Sequence, residues 1–164
     1  MWFGYHNHRW GERSAATNLM TLSMAQADFR ANDRDGDNIH QFWRGDVAGL
    51  YALVPKGGTP IKLIELSVAA ADDLPVTDLS SFAPRSPKSG YWFRAIRHVD
   101  EDPKAPALNR FAFCAFPDTP KAGKYIFIVD EDNTIYRAET KGRRGVDLFP
   151  SEEELRTQWS KIDG

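Results

Sequence analysis

The residues Gly90-Tyr91-Trp92-Phe93-Arg94-Ala95-Ile96-Arg97-His98-Val99 mark the point where the hydrophobic period of the chain changes from helical to two. Tyr91, Phe93, Ala95 and Arg97 alternate there with Trp92, Arg94, Ile96 and His98, the pattern of a half-buried strand. Pro103 and Pro106, among acidic residues, break the run. A second strand is predicted over residues 111–116, stopped by Pro117 and the turn Asp118-Thr119-Pro120. A third covers 125–129 and a fourth 135–138, with Asp130-Glu131-Asp132-Asn133 as a compact hairpin loop between them. Neighbouring strands joined by short turns pair antiparallel, so residues 91–138 predict a four-stranded meander.

Upstream of this sheet the pattern is helical. Residues 14–31 hold no Pro or Gly, Ser14 is a fair N-cap, and Ala15, Ala16, Leu19, Leu22, Ala25, Gln26 and Phe29 fall near one face. Met20, Met24 and Ala27 widen the stripe, as core packing rather than a cofactor box. This helix is expected to lie across the sheet. Between the two, residues 39–53 suggest a short helix from about Arg44 or Asp46, and 55–60 a Pro/Gly loop. Residues 61–71 read either as a further short helix or as a loosely alternating segment, and 72–89 as an irregular connection. At the far end Ser151 and Glu154 have capping-box spacing. Leu155, Trp159 and Ile162 then predict a short C-terminal helix docked by one apolar stripe. The fold class is α+β: an N-terminal helix packed on a four-stranded antiparallel meander, organised as residues 1–13, an aromatic-rich arm, and 14–164, one domain.

Composition narrows the classes of function. Of 164 residues, 21 are Lys or Arg and 23 Asp or Glu, for a net charge of −2, and one is Cys. A single Cys excludes an internal disulfide, a Cys-x-x-Cys redox pair and a multi-thiolate zinc site. Scattered Lys and Arg with a pI near 6.1 give no basic face for a phosphate backbone, so no nucleic-acid partner is expected. No stretch is long and apolar enough to span a membrane. The first ten residues nevertheless hold Trp2, Phe3, Tyr5 and Trp10 beside Arg9, the composition of a membrane–water interface. Two readings stand: a juxtamembrane segment that follows a hydrophobic helix, or an arm whose aromatics pack on the domain. His6 and His8 lack a nearby carboxylate or thiolate and make a weak chelate.

The sharpest local signal for an ion is Asp33-Arg34-Asp35-Gly36-Asp37-Asn38. Alternating carboxylates with a Gly that lets the backbone curl can turn hard oxygens onto one Ca²⁺, with Asp33, Asp35, Asp37 and Asn38 as the candidate site. Read as an EF-hand loop, it carries Arg44 where the bidentate Glu belongs and His40 where an apolar residue belongs. A looser acidic loop, aided by Asp46 or a backbone carbonyl, competes with a solvated turn. Cys114 between Phe113 and Ala115 has the setting of a buried strand residue; as a nucleophile it would need His98 from the neighbouring strand. Asp100-Glu101-Asp102 and Asp130-Glu131-Asp132 are acidic loops at strand ends, and a pair of carboxylates is a possible acid/base couple. Arg143-Arg144 with Lys141 is a small exposed basic loop, and no phosphate loop, nucleophile elbow or His-Glu metalloprotease motif occurs.

Three stretches carry a resemblance. Residues 15–30, with Ala15, Leu19, Ala25-Gln26 and Phe29, precede an Asp/Asn/Gly-rich loop over 33–42. Ser89-Gly90-Tyr91-Trp92-Phe93 opens the first strand. Phe113-Cys114-Ala115-Phe116-Pro117, then Gly123-Lys124 and Phe127-Ile128-Val129-Asp130, form a hairpin. Over residues 14–140 the chain resembles the soluble part of bacterial prepilin-like (type IV pilin or pseudopilin-like) envelope proteins, a family of unknown function common in planctomycetes. The resemblance implies a pilin-like roll and a non-catalytic envelope or extracellular domain acting in assembly or binding. The hydrophobic half-helix and the prepilin cleavage motif of that family are absent here, and the 151–162 helix has no counterpart in it. The expected setting is periplasmic or extracellular, through a membrane anchor in a longer protein, or cytoplasmic where Met1 is the start. Protein partners or self-assembly are expected, with no small-molecule substrate and no cofactor beyond Ca²⁺. The alternative is a small hydrolytic enzyme using Cys114 and His98, or an acidic pair.

Overall fold

The computed structural model describes residues 2–162, with side chains from residue 9 onward; the His6–His8 pair lies outside those side chains. Helix α1 runs over Trp2–Ala31. The aromatic arm and the predicted helix are thus one element, because no proline breaks residues 2–14 and Ser14 lies inside the helix, where Asn18 Nδ2 donates to its carbonyl at 2.8 Å. Arg9 and Trp10 are exposed, and the buried stripe begins at Gly11. A Cβ at Gly11 would stand 2.7 Å from the Ser89 carbonyl oxygen, so the missing side chain is what lets α1 approach the loops of the sheet so closely. Ala15, Leu19, Leu22, Ala25 and Phe29 continue the stripe inward. Met20 packs at its edge, whereas Met24 and Ala27 point to solvent, so the apolar stripe is narrower than their spacing suggests.

Two short helices, α2 (Gly49–Ala52) and α3 (Leu66–Ala70), follow, each shorter than its apolar segment. They are set by buried side chains. Gln26 on α1 accepts the Trp43 N–H at 2.8 Å and donates to the Trp43 carbonyl at 2.5 Å, acting as a one-residue strand partner for the incoming chain. Asp46 accepts the N–H groups of Gly49, Val76 and Thr77, and Asp72 those of Val47, Ala48 and Leu74. These carboxylates supply acceptors for amides at the entry to α2 (47–49) and in the irregular 72–89 connection (74, 76 and 77) that regular structure does not satisfy.

The sheet contains β1 (Tyr91–His98), β2 (Ala112–Pro117), β3 (Tyr125–Asp130) and β4 (Tyr136–Glu139), antiparallel in sequence order as the turns between them predict. It is not a four-stranded meander, however. β5 (Leu148–Phe149) adds to β1 in parallel and β6 (Ser160–Lys161) adds to β4, so six strands form a curled, mixed sheet ordered β5-β1-β2-β3-β4-β6. Two-residue strands are too short for a period to show in the sequence. The C-terminal helix α4 is confined to Glu152–Gln158, with the Ser151/Glu154 capping box formed as its spacing predicts. Trp159 and Ile162 do not lie on a helical stripe: the chain is extended there, and an odd separation sends them to opposite faces of the sheet.

Both faces are covered. Tyr91, Phe93, Phe113 and Phe127 meet α1 and the α2–α3 segment on one side. Ile96, Cys114, Phe116 and Ile128 meet Phe149 and Trp159 on the other. Every residue of β2 is buried, which explains its unbroken apolar run, the signature of a strand packed on two sides. Among the described residues no helix is long and apolar enough to cross a membrane.

Candidate functional site

The acidic loop after α1 is a braced turn. Asp33 and Asn38 adopt positive φ (46° and 68°), as does Gly36 (71°), conformations that Asn, Asp and Gly tolerate best. Asp33 Oδ2 accepts the Asn38 N–H at 2.9 Å and Asp37 Oδ1 the Ile39 N–H at 2.8 Å, so two of the carboxylates serve the turn itself. Asp33, Asp35 and Asp37 still each bring a carboxylate oxygen within 4.8 Å of the others. Burial, with the hydrogen-bonded Asp33 carboxylate beside it, pushes Asp35 up to about 6; hydrogen bonding to the Ile39 N–H holds Asp37 below its usual range. Asn38 joins the loop through its backbone. Asp46 does not assist: it is 1% exposed and its oxygens are occupied by the 49 and 76–77 amides. Arg44 clamps the other acidic loop, donating to the carbonyls of Asp102, Pro103 and Ala105, while His40 Nδ1 lies 2.9 Å from the Arg30 carbonyl.

Cys114 is fully buried, its Sγ donates to the Val146 carbonyl at 3.5 Å, and burial pushes the thiol up to about 12. A thiol with that value is not a nucleophile at neutral pH. His98 is turned to different partners. The Asp100-Glu101-Asp102 loop is likewise braced, by Asp100 to Arg110 at 2.6 Å and Glu101 to Arg44 at 3.7 Å.

One group that sequence reasoning left scattered is brought together. β1 and β3 run the same way on either side of β2, so their C-terminal ends meet at one end of the sheet, and the even spacings 96/98 and 128/130 put His98 and Asp130 on the same face. His98 Nε2 lies 3.3 Å from Glu131 Oε1 and 3.8 Å from Asp130 Oδ2. Neither contact is directed as a hydrogen bond, and Nε2 is buried without a partner. Phe149 packs on the imidazole with ring centroids 4.9 Å apart. The backbone holds both carboxylates: Glu131 Oε1, the oxygen that faces His98, also accepts the Phe111 N–H, and Asp130 uses its other oxygen, Oδ1, to accept the Asp132 N–H. Burial of His98 disfavours its charge, but Glu131 and Asp130 outweigh burial and raise its pKa. Burial opposes the Glu131 charge as well, yet His98 keeps Glu131 below its ordinary value. Burial pushes Asp130 up to about 6. The pairing was readable in principle from the strand alternation once β1 and β3 were placed either side of β2.

Comparison with known proteins adds no relative: no family model, no curated protein and no solved structure matches the chain.

Proposed function

We propose that this chain is a non-catalytic binding or assembly domain of pilin-like organisation, working in the periplasm or outside the cell and carried there by a membrane anchor in a longer protein. The observation that carries the reading is α1: a single 30-residue helix whose later turns lie on the sheet while Arg9 and Trp10, just ahead of the buried stripe that begins at Gly11, are exposed. A helix that serves at one end as a spine and at the other as part of a globular core is the arrangement such a role requires. Trp10, 71% exposed, and Met24, 68% exposed, offer apolar contacts on its outer surface. The buried, unreactive Cys114 supports a non-catalytic role over a thiol hydrolase.

Sedimentation velocity over a wide concentration range tests this. Self-association that Trp10→Ser weakens is the expected result; a monomer at every concentration, insensitive to that change, would remove self-assembly. Ca²⁺ at Asp33, Asp35 and Asp37 belongs to the same reading, because a dication would relieve the repulsion among three facing carboxylates. Millimolar Ca²⁺ is expected to raise the melting temperature of the wild type and not of Asp35→Ala. Equal melting curves with and without Ca²⁺ would leave the loop a plain turn.

A further inference from the structure

We propose that His98 Nε2, Asp130 Oδ2 and Glu131 Oε1 form a binding site for a first-row divalent transition metal of the Zn²⁺ class. The site lies at the end of the sheet where β1 and β3 finish on either side of the start of β2, remote in sequence from the 33–38 loop and independent of the assembly reading. One imidazole and two carboxylates are a borderline donor set, harder than a thiolate cage and softer than an all-oxygen one, which suits Zn²⁺ and its neighbours rather than Ca²⁺. The spacing fits as well. Ligands about 2.0–2.2 Å from a tetrahedral ion stand roughly 3.4 Å apart. The imidazole nitrogen is 3.3 and 3.8 Å from the two oxygens, and each of the three residues brings a ligand atom within 4.8 Å of those of the other two.

Three further features separate this cluster from an ordinary ion pair. The first is the nitrogen: His98 is 6% exposed, and its buried Nε2 faces Glu131 and Asp130 at 3.3 and 3.8 Å without a directed hydrogen bond, so it is met by charge alone and an ion set between the three groups would take its lone pair. The second is orientation, since the Phe111 and Asp132 amides hydrogen-bond the carboxylates, as supporting groups do around metal ligands, and the Phe149 ring packs on the imidazole. The third is access. The Glu131 side chain is 24% exposed while those of His98 and Asp130 are 7% and 9%, so the cluster meets solvent at Glu131. Arg110 is the nearby cation that opposes a metal, and its charge is engaged by Asp100 at 2.6 Å. Three protein donors leave one vertex of a tetrahedron for water.

The test uses the whole chain, treated with EDTA and dialysed, then titrated at neutral pH with Zn²⁺ by calorimetry and with Co²⁺ by visible absorption. The expected result is saturable uptake of one Zn²⁺ per chain and the visible bands of four-coordinate Co²⁺. His98→Gln and Glu131→Gln should each weaken Zn²⁺ binding by more than the roughly 10–100-fold that loss of a supporting residue costs. Asp35→Asn should bind as the wild type does. Circular dichroism checks each variant's fold. Glu131→Gln retains an acceptor for the Phe111 amide, so it decides the matter if His98→Gln does not fold. No saturable binding by the wild type, or binding that survives Glu131→Gln but not Asp35→Asn, would overturn the proposal.

Discussion

Asp72 holds three backbone amides of two different segments and sits beside Asp46 in the interior, so its charge state is tied to the fold. Burial pushes its carboxyl up to about 6 from the ordinary 3.8, against the hydrogen bonds that favour the anion. A raised acid holds its proton more tightly in the folded than in the unfolded chain. Its contribution to stability is therefore complete below the unfolded value and is lost as pH rises from about 4 to 6. At about 1.4 kcal/mol per pH unit, the loss is on the order of 2–3 kcal/mol. Asp72→Asn removes this titration, so the stability advantage of the wild type over the variant should shrink by that order between pH 4 and 7, measured by urea unfolding. Parallel pH profiles for the two proteins would refute it. Nothing in the composition of residues 72–89 distinguishes this Asp from the solvated ones around it. Its burial follows from where Phe93 draws the chain, through the Asp73 N–H bonded to the Phe93 carbonyl at 2.9 Å, and so from the sheet.

At the level of elements, α1 illustrates a conflict between local preference and packing. Alanine is better than glycine in a helix interior by about 1 kcal/mol. At Gly11 the added Cβ would meet two rigid carbonyl oxygens, of Ser89 at 2.7 Å and Ala122 at 3.2 Å. Gly11→Ala is therefore expected to lower the melting temperature in spite of its better propensity, because backbone must shift to admit it. A higher melting temperature would show that the helix can ride up off the loops without loss. The helix over 14–31 was legible because its apolar residues repeat at the right interval; its continuation to Trp2 was not, since aromatic residues and two glycines are poor evidence for any one conformation. The four central strands were legible by alternation or by unbroken apolar runs. β5 and β6 were not, and α4 was legible at its capped start but not at its end, because tertiary contact with β1 and β4 determines where the last residues straighten.

For the molecule as a whole, the decisive arrangement is a sheet closed on both faces by the two ends of the chain. Arg94, 12% exposed in its side chain, fastens the second closure: it pairs with both oxygens of Asp73 at 3.0 and 2.7 Å and reaches the Val146 carbonyl and Asp147. Trp159 completes that closure over Ile126, Ile128 and their neighbours. Trp159→Ala should cost about 3–5 kcal/mol, the range for large aromatic truncations. It should also raise binding of a hydrophobic dye, since face and cover part together; a loss of stability without dye binding would mean the cover stays in place. The His98 cluster belongs to this scale too. Its residues come from β1 and from the end of β3 and the turn after it, and only the register of the assembled sheet brings them within reach.

Helix α1 lies against β1, β2 and β3 together rather than on one of them. A pull along its axis would load those contacts in parallel, as shear, whereas a pull on β6 would unzip two residues from an edge. The domain is thus mechanically anisotropic: strong when tugged by its N-terminal helix and weak when tugged by its tail.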